Sequence, residues 1–208
     1  MNLSKETYLK NPCRASALPY WKAVRLAVPE DMLVLHECAF HAGYLTDYTD
    51  EPYFRLYHDL QGLPPAVLPD GLQLFDAAPA DYGAHISRCY TGMSAVAAEI
   101  GSYVQHSVYS ADLWVAVRER ESGKIAGTGI AEFDAQMGEG ILEWIQVSPE
   151  CRGRGIGTYL VAELLHRIAA KAEFATVSGQ VRNPSEPEKL YRKCGFTGND
   201  VWHVLRKK

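Results

Sequence analysis

Residues 147–165 read VSPECRGRGIGTYLVAELL, with three glycines and two arginines in six positions between an apolar run of strand type and one of helix type. Glycine weakens the interior of either element, so Gly153, Gly155 and Gly157 at a strand-to-helix junction point to something that must approach the main chain. A helix amino terminus presents unpaired N–H groups and a partial positive charge, which suits a phosphate once side chains are out of the way. The first turn beyond Gly155 carries no acid, and Glu163 comes two turns later. Arg152 and Arg154 add charge, but exposed ion pairs contribute only about 0–1 kcal/mol, whereas a backbone hydrogen bond to a charged oxygen contributes about 1.5–3. The bare backbone should outweigh the arginines.

Two familiar phosphate loops fit poorly. A nucleoside-triphosphate loop needs Gly-Lys-Ser or Gly-Lys-Thr, which is absent here. A dinucleotide fingerprint needs G-x-G-x-x-G near the first strand and an acid closing the next one. Here the glycines alternate late in the chain, and FATVSGQV ends without an acid.

The 208 residues, 47% of them hydrophobic, suffice for a buried core. A net charge of −4 gives no electrostatic case for nucleic acid or an anionic membrane as the main partner. The five cysteines, Cys13, Cys38, Cys89, Cys151 and Cys194, are scattered and never form C-x-x-C, which predicts reduced thiols. In LHECAFH, His36, Cys38 and His41 lack a second ligand group, and a half-buried helix face accounts for them; no metal is expected. MNLSKETYLKNPCRAS has no apolar core of signal-peptide type and no run is long enough to span a bilayer, so a cytoplasmic location is expected.

Proline and glycine punctuate GLPPAVLPDGL, residues 62–72, and place the main boundary there. Residues 1–67 read as a helical, aromatic-rich extension. It holds PEDMLVLHECAF and DEPYFRLYHDL, whose opening acids and prolines suit first helical turns, and Tyr44, Tyr48, Tyr53 and Tyr57 in helix-spaced pairs. Over residues 68–208, strands are expected in GLQLFDA, DLWVAVRE, KIAGTGIAEFD, GILEWIQVSP, FATVSGQV and DVWHVLRKK. Helices are expected in PADYGAHISRCY, SAVAAEIGSYVQHSV and SEPEKLYRKCG. After the glycine loop, Leu160, Val161, Leu164, Leu165 and Ile168 form one apolar helical face. The fold class is α/β (α+β): a mixed, mostly antiparallel central sheet with helices on both faces, plus the N-terminal helical arm.

The run VSPECRGRGIGTYLVAELL resembles the acyl-CoA binding motif of GCN5-related N-acetyltransferases (GNAT), with Arg152, Gly155 and Gly157 in its Arg/Gln-x-x-Gly-x-Gly/Ala core. Downstream, NPSEPEKLYRKCGF, residues 183–196, looks like that family's Asn…Leu-Tyr-x-Lys-x-Gly-Phe segment, although Asn183 stands one residue further from Tyr191 than is commonest. The resemblance covers residues 68–208 and implies an acetyltransferase domain there. It implies acetyl-CoA as cosubstrate, no metal, and direct transfer to a primary amine of a small molecule or protein. It also leaves room for a homodimer, and for a second reading in which the same fold senses acyl-CoA without chemistry. Ile145 and Val147 would offer main-chain groups to the pantetheine amides. Arg152, Gly153, Arg154, Gly155, Ile156, Gly157 and Thr158 would wrap the diphosphate, with Asn183 a further contact.

A lysine-like amine has a pKa near 10.4, so at pH 7 its neutral form lies roughly 4.6 kcal/mol away and a base is needed. Glu143 is the first candidate, since regular alternation would set it on one face with Ile145 and Val147; Glu132 is the second. Tyr191 matches the family's general acid and, with a phenol pKa near 10, can protonate a departing thiolate of pKa about 8.5. Cys151 and Cys194 flank these motifs without a neighbouring histidine, and read as buried thiols. On the acceptor side, the helices of residues 78–108 and the aromatic arm are expected to close the site, with Asp47, Asp50 and Glu51 attracting a cation.

Overall fold

The alternating residues of DLWVAVRE and KIAGTGIAEFD fold back on one another through a turn at Gly123, whose φ of 69° favours glycine. The structure is a computed structural model that describes residues 3–89 and 96–208, the side chains of 96–98 excepted. Its helices are α1 (Lys5–Lys10), α2 (Pro12–Ala15), α3 (Tyr20–Ala23), α4 (Pro79–Cys89), α5 (Val96–Ser102), α6 (Ile156–Ala169) and α7 (Pro187–Lys193). Its strands are β1 (Met32–His36), β2 (Tyr48–His58), β3 (Leu72–Leu74), β4 (Trp114–Glu119), β5 (Ile125–Asp134), β6 (Glu139–Val147), β7 (Phe174–Gln180) and β8 (Thr197–Lys207). The expected helix of residues 94–108 is realised as α5 followed by a 3-10 turn at Tyr103–Gln105; its first two residues lie outside those described. The chain divides into two units, Leu60–Ala175 and Met1–Asp59 with Thr176–Lys208.

In the unit Leu60–Ala175 the strands run in the order β6-β5-β4-β3, each antiparallel to its neighbour. Helix α6 lies directly on one face. A Cβ at Gly127 would stand 2.8 Å from Ile156 Cγ2, and one at Gly129 would stand 3.0 Å from Leu164 Cδ1. Glycine at these two strand positions therefore permits a close helix–sheet approach that a larger side chain would crowd, most of all at Gly127. Leu160, Val161, Leu164, Leu165 and Ile168 are all fully buried, and each contributes about 1.5–3 kcal/mol by leaving water. The opposite face carries Tyr82 and Ile86 of α4 and Ile100 of α5, packed with Tyr103 on Trp114, Ala116 and Ile130. Helices thus cover both faces of a mostly antiparallel sheet, as the sequence predicts.

One irregularity matters. Ile130 pairs with Trp144, yet Ala131 pairs with Leu142, so Glu143 is an extra residue inserted into β6. Gly140, beside Ile168, and Ile145, over Gly129, both face α6. Trp144 faces the other way and donates its indole Nε1–H to Tyr103 Oη at 3.2 Å.

The other unit orders its strands β1-β8-β2-β7, with β8 antiparallel to both β1 and β2. This corrects the reading of the arm. MLVLH is a strand rather than part of a helix, and so is all of Tyr48–His58, including Pro52 opposite His203. Acids and prolines that suit a first helical turn were outweighed by β-prone Tyr53, Phe54 and Tyr57 pairing with β8. The arm does contain helices, α1 to α3, the first two capped by the Ser4 and Asn11 side chains. Residues 1–59 share their unit with Thr176–Lys208 rather than forming a unit of their own.

Candidate functional site

The loop between β6 and α6 is built on positive φ angles. Gly153 has φ 78° and Gly155, which caps α6, has φ 81°. These two glycines are thus required by backbone handedness. What they leave is open: a Cβ at Gly153 would meet nothing within 4 Å, and one at Gly155 only Pro69 Cγ at 3.8 Å. Ile156 is buried beneath the helix, while Gly157 and Thr158 are half-buried in its first turn. No side chain caps α6 and no acid occupies its first turn, so its leading amides and its dipole are available to an anion. These features fit a diphosphate.

The two arginines differ. Arg152 is exposed, its Nε 3.4 Å from the Val147 carbonyl oxygen. Arg154 is paired with Glu119 at the end of β4, Nη1 to Oε1 2.8 Å, and that hydrogen bond holds the Glu119 carboxyl below its usual range. Arg154 therefore ties the loop to the sheet. Cys151, beside it, is 4% exposed, and burial pushes its thiol pKa up.

On β6, Ile145 lies opposite Gly129 and Val147 opposite Gly127, both on the α6 face. Glu143 is the bulged residue, without a partner in the β5 register, so regular alternation does not assign its face. It acts electrostatically on Tyr103, whose phenol pKa is raised by burial first and by the Glu143 charge next. Glu132 on β5 is 1% exposed, and its Oε1 lies 2.8 Å from His106 Nδ1. The structure thus gathers Glu143, Glu132, Tyr103, His106 and Trp144 around the bulge. His106 and Tyr103 escaped sequence reasoning, since nothing in SYVQHSV distinguishes them from packing residues.

Tyr191 and Asn183 belong to the other unit. Tyr191, on α7, is 6% exposed and packs its ring against Phe54 and Phe196. Asn183 Oδ1 accepts from the Ser185 N–H at 2.9 Å and the Ser185 hydroxyl at 2.8 Å, closing a local turn before α7. Cys194 is buried, which pushes its thiol pKa up to about 11. Asp50 is bonded to His203 Nδ1 at 2.9 Å with Arg182 nearby, and Glu51 to Gln180. These two acids are engaged within their own unit rather than displayed to a cation. Likewise His36 Nε2 lies 2.9 Å from Asp200, and no group of histidines, cysteines and acids able to hold a metal occurs among the described residues. Nor, among them, is any helix long and apolar enough to cross a membrane.

Comparison with known proteins agrees with this geometry. Residues 110–198 match the family model described as an acetyltransferase (GNAT) domain. A GCN5-related N-acetyltransferase from Sphaerobacter thermophilus superimposes with a TM-score of 0.66 at 20% identity, over 90% of this chain and 63% of that one. A GNAT-family acetyltransferase from Colwellia psychrerythraea gives 0.59 at 13%, over 90% and 69%. A tandem GNAT protein of the clavulanic acid pathway gives 0.57 at 15%, over 79% and 56%. The chain therefore spans less than two thirds of the length of the first and last of these. No curated protein matches the sequence. The chain has the fold of the GNAT acetyltransferases.

Proposed function

We propose that this protein transfers an acetyl group from acetyl-CoA directly to a primary amine of a small molecule or a protein, in the cytoplasm. The observation that carries the reading is the open, left-handed glycine loop at the uncapped start of α6, directly after a bulged strand. When bound, acetyl-CoA supplies an activated thioester carbonyl. The amides of residues 153–158 hold its diphosphate, Arg152 adds charge, and Ile145 and Val147 offer main-chain groups to the pantetheine arm. Glu143 takes the proton that the amine sheds as its nitrogen bonds to the carbonyl carbon, directly or through a water. Glu132, already bonded to His106, is the second choice for that role. Tyr191 donates a proton as the carbon–sulfur bond breaks, so the thiol leaves neutral. Asn183 is a further cofactor contact through its amide.

The test is calorimetric titration with acetyl-CoA followed by a thiol-release assay over a panel of amines. Binding with turnover on at least one amine is expected. Binding with no turnover on any amine would leave only a sensor of acyl-CoA, and absence of binding would remove both.

A further inference from the structure

We infer that His85 is a positioning residue for the diphosphate loop, locking the root of that loop to β5 from helix α4. This rests on the acetyl-CoA reading above. His85 is fully buried, with Nδ1 2.8 Å from Thr128 Oγ1 and Nε2 3.0 Å from Ser148 Oγ. Ser148 is the last residue before the turn that opens the loop, and its hydroxyl donates to the Ile125 carbonyl at 2.8 Å. That spends its single proton. Ser148 Oγ therefore accepts from His85 Nε2–H, and the bare Nδ1 accepts from the Thr128 hydroxyl. The Cys89 thiol lies 3.6 Å from Nε2 on the same side.

The hydrogen bonds form one directed chain, from Thr128 through His85 and Ser148 to Ile125. It crosses α4, β5 and the loop root in one tautomer. The backbone continues it: Ser148 N–H donates to Ala126 O at 3.0 Å, and Cys151 N–H to Ser148 O at 2.8 Å. Ser148 is thereby fixed at every polar atom just before Gly153 and Gly155 turn the chain toward α6. Burial also keeps the ring neutral, as the single tautomer requires. A diphosphate gripped by main-chain amides depends on those amides converging before it arrives, and loops carry little rigidity of their own. The imidazole supplies it here.

The experiment compares acetyl-CoA with acetyl-pantetheine, which lacks the diphosphate, as ligands of the wild type, His85→Leu, His85→Gln and Ser148→Ala. His85→Leu and Ser148→Ala should weaken acetyl-CoA binding about tenfold, the equivalent of one or two lost hydrogen bonds, with acetyl-pantetheine unchanged. His85→Gln keeps a donor and an acceptor and should restore most of the affinity. Equal weakening of both ligands, or unaltered affinity in Ser148→Ala and His85→Leu, would overturn the inference. A wild type that binds no acetyl-CoA would fail the functional reading first and take this inference with it.

Discussion

Arg154 Nη1 stands 2.8 Å from Glu119 Oε1, so the second arginine of the glycine loop is already committed to an acid of β4. Its charge is partly answered before any anion arrives. Arg154→Ala should therefore change the Kd for acetyl-CoA by less than about threefold, in keeping with the small worth of exposed pairs. Gly155→Val, forced to a φ of 81°, should abolish titratable binding. Comparable losses in the two variants would mean that side-chain charge, not backbone, holds the anion.

The seating of α6 depends on missing side chains beneath it. Gly127→Val would drive a branched side chain into Ile156 and Leu160, whose atoms lie 2.8 and 3.1 Å from the position of its Cβ. Overpacking of this kind costs about 1–3 kcal/mol, and in a chain of this size each kcal/mol lowers Tm by about 2–4 °C. An unchanged Tm by scanning calorimetry would show that α6 does not rest on β5.

His85 should confer a pH dependence on stability. Burial first, and the nearby Arg88 charge next, push its pKa from the ordinary 6.5 down to about 4, while Glu150 opposes them. Because the folded value lies below the unfolded one, the unfolded chain binds the proton first as pH falls. The stabilisation is complete above about pH 6.5 and is lost progressively down to about pH 4, by at most about 3 kcal/mol. Urea midpoints measured across that window should fall for the wild type and fall less steeply for His85→Leu. Parallel curves would contradict the assignment.

Tyr191→Phe removes only the hydroxyl from a ring that packs against Phe54 and Phe196. As a general acid it should cost about a hundredfold in kcat while leaving the Kd for acetyl-CoA within twofold. Equal loss in both would make it a binding residue.

The glycine loop, helix α6 and helix α7 were legible as local structure because their signals are local. Alternating glycines, the apolar face of Leu160 to Ile168 and the Tyr191 segment each announce themselves within twenty residues. The arm was misread because Met32–His36 and Tyr48–His58 become strands only by pairing with β8, more than 130 residues away, and no local pattern carries that. The bulge at Glu143 was invisible for a related reason: it has no glycine or proline, and only its register against β5 shows it. His85 resembled any helix histidine until Thr128 and Ser148 closed on its two nitrogens.

A crystal structure of the chain soaked with acetyl-CoA tests the central claim most directly. The account predicts diphosphate oxygens about 2.9 Å from main-chain nitrogens of residues 153–158, the distance of an ordinary N–H···O bond. A coenzyme bound elsewhere, with that turn filled by the protein's own side chains, would contradict it.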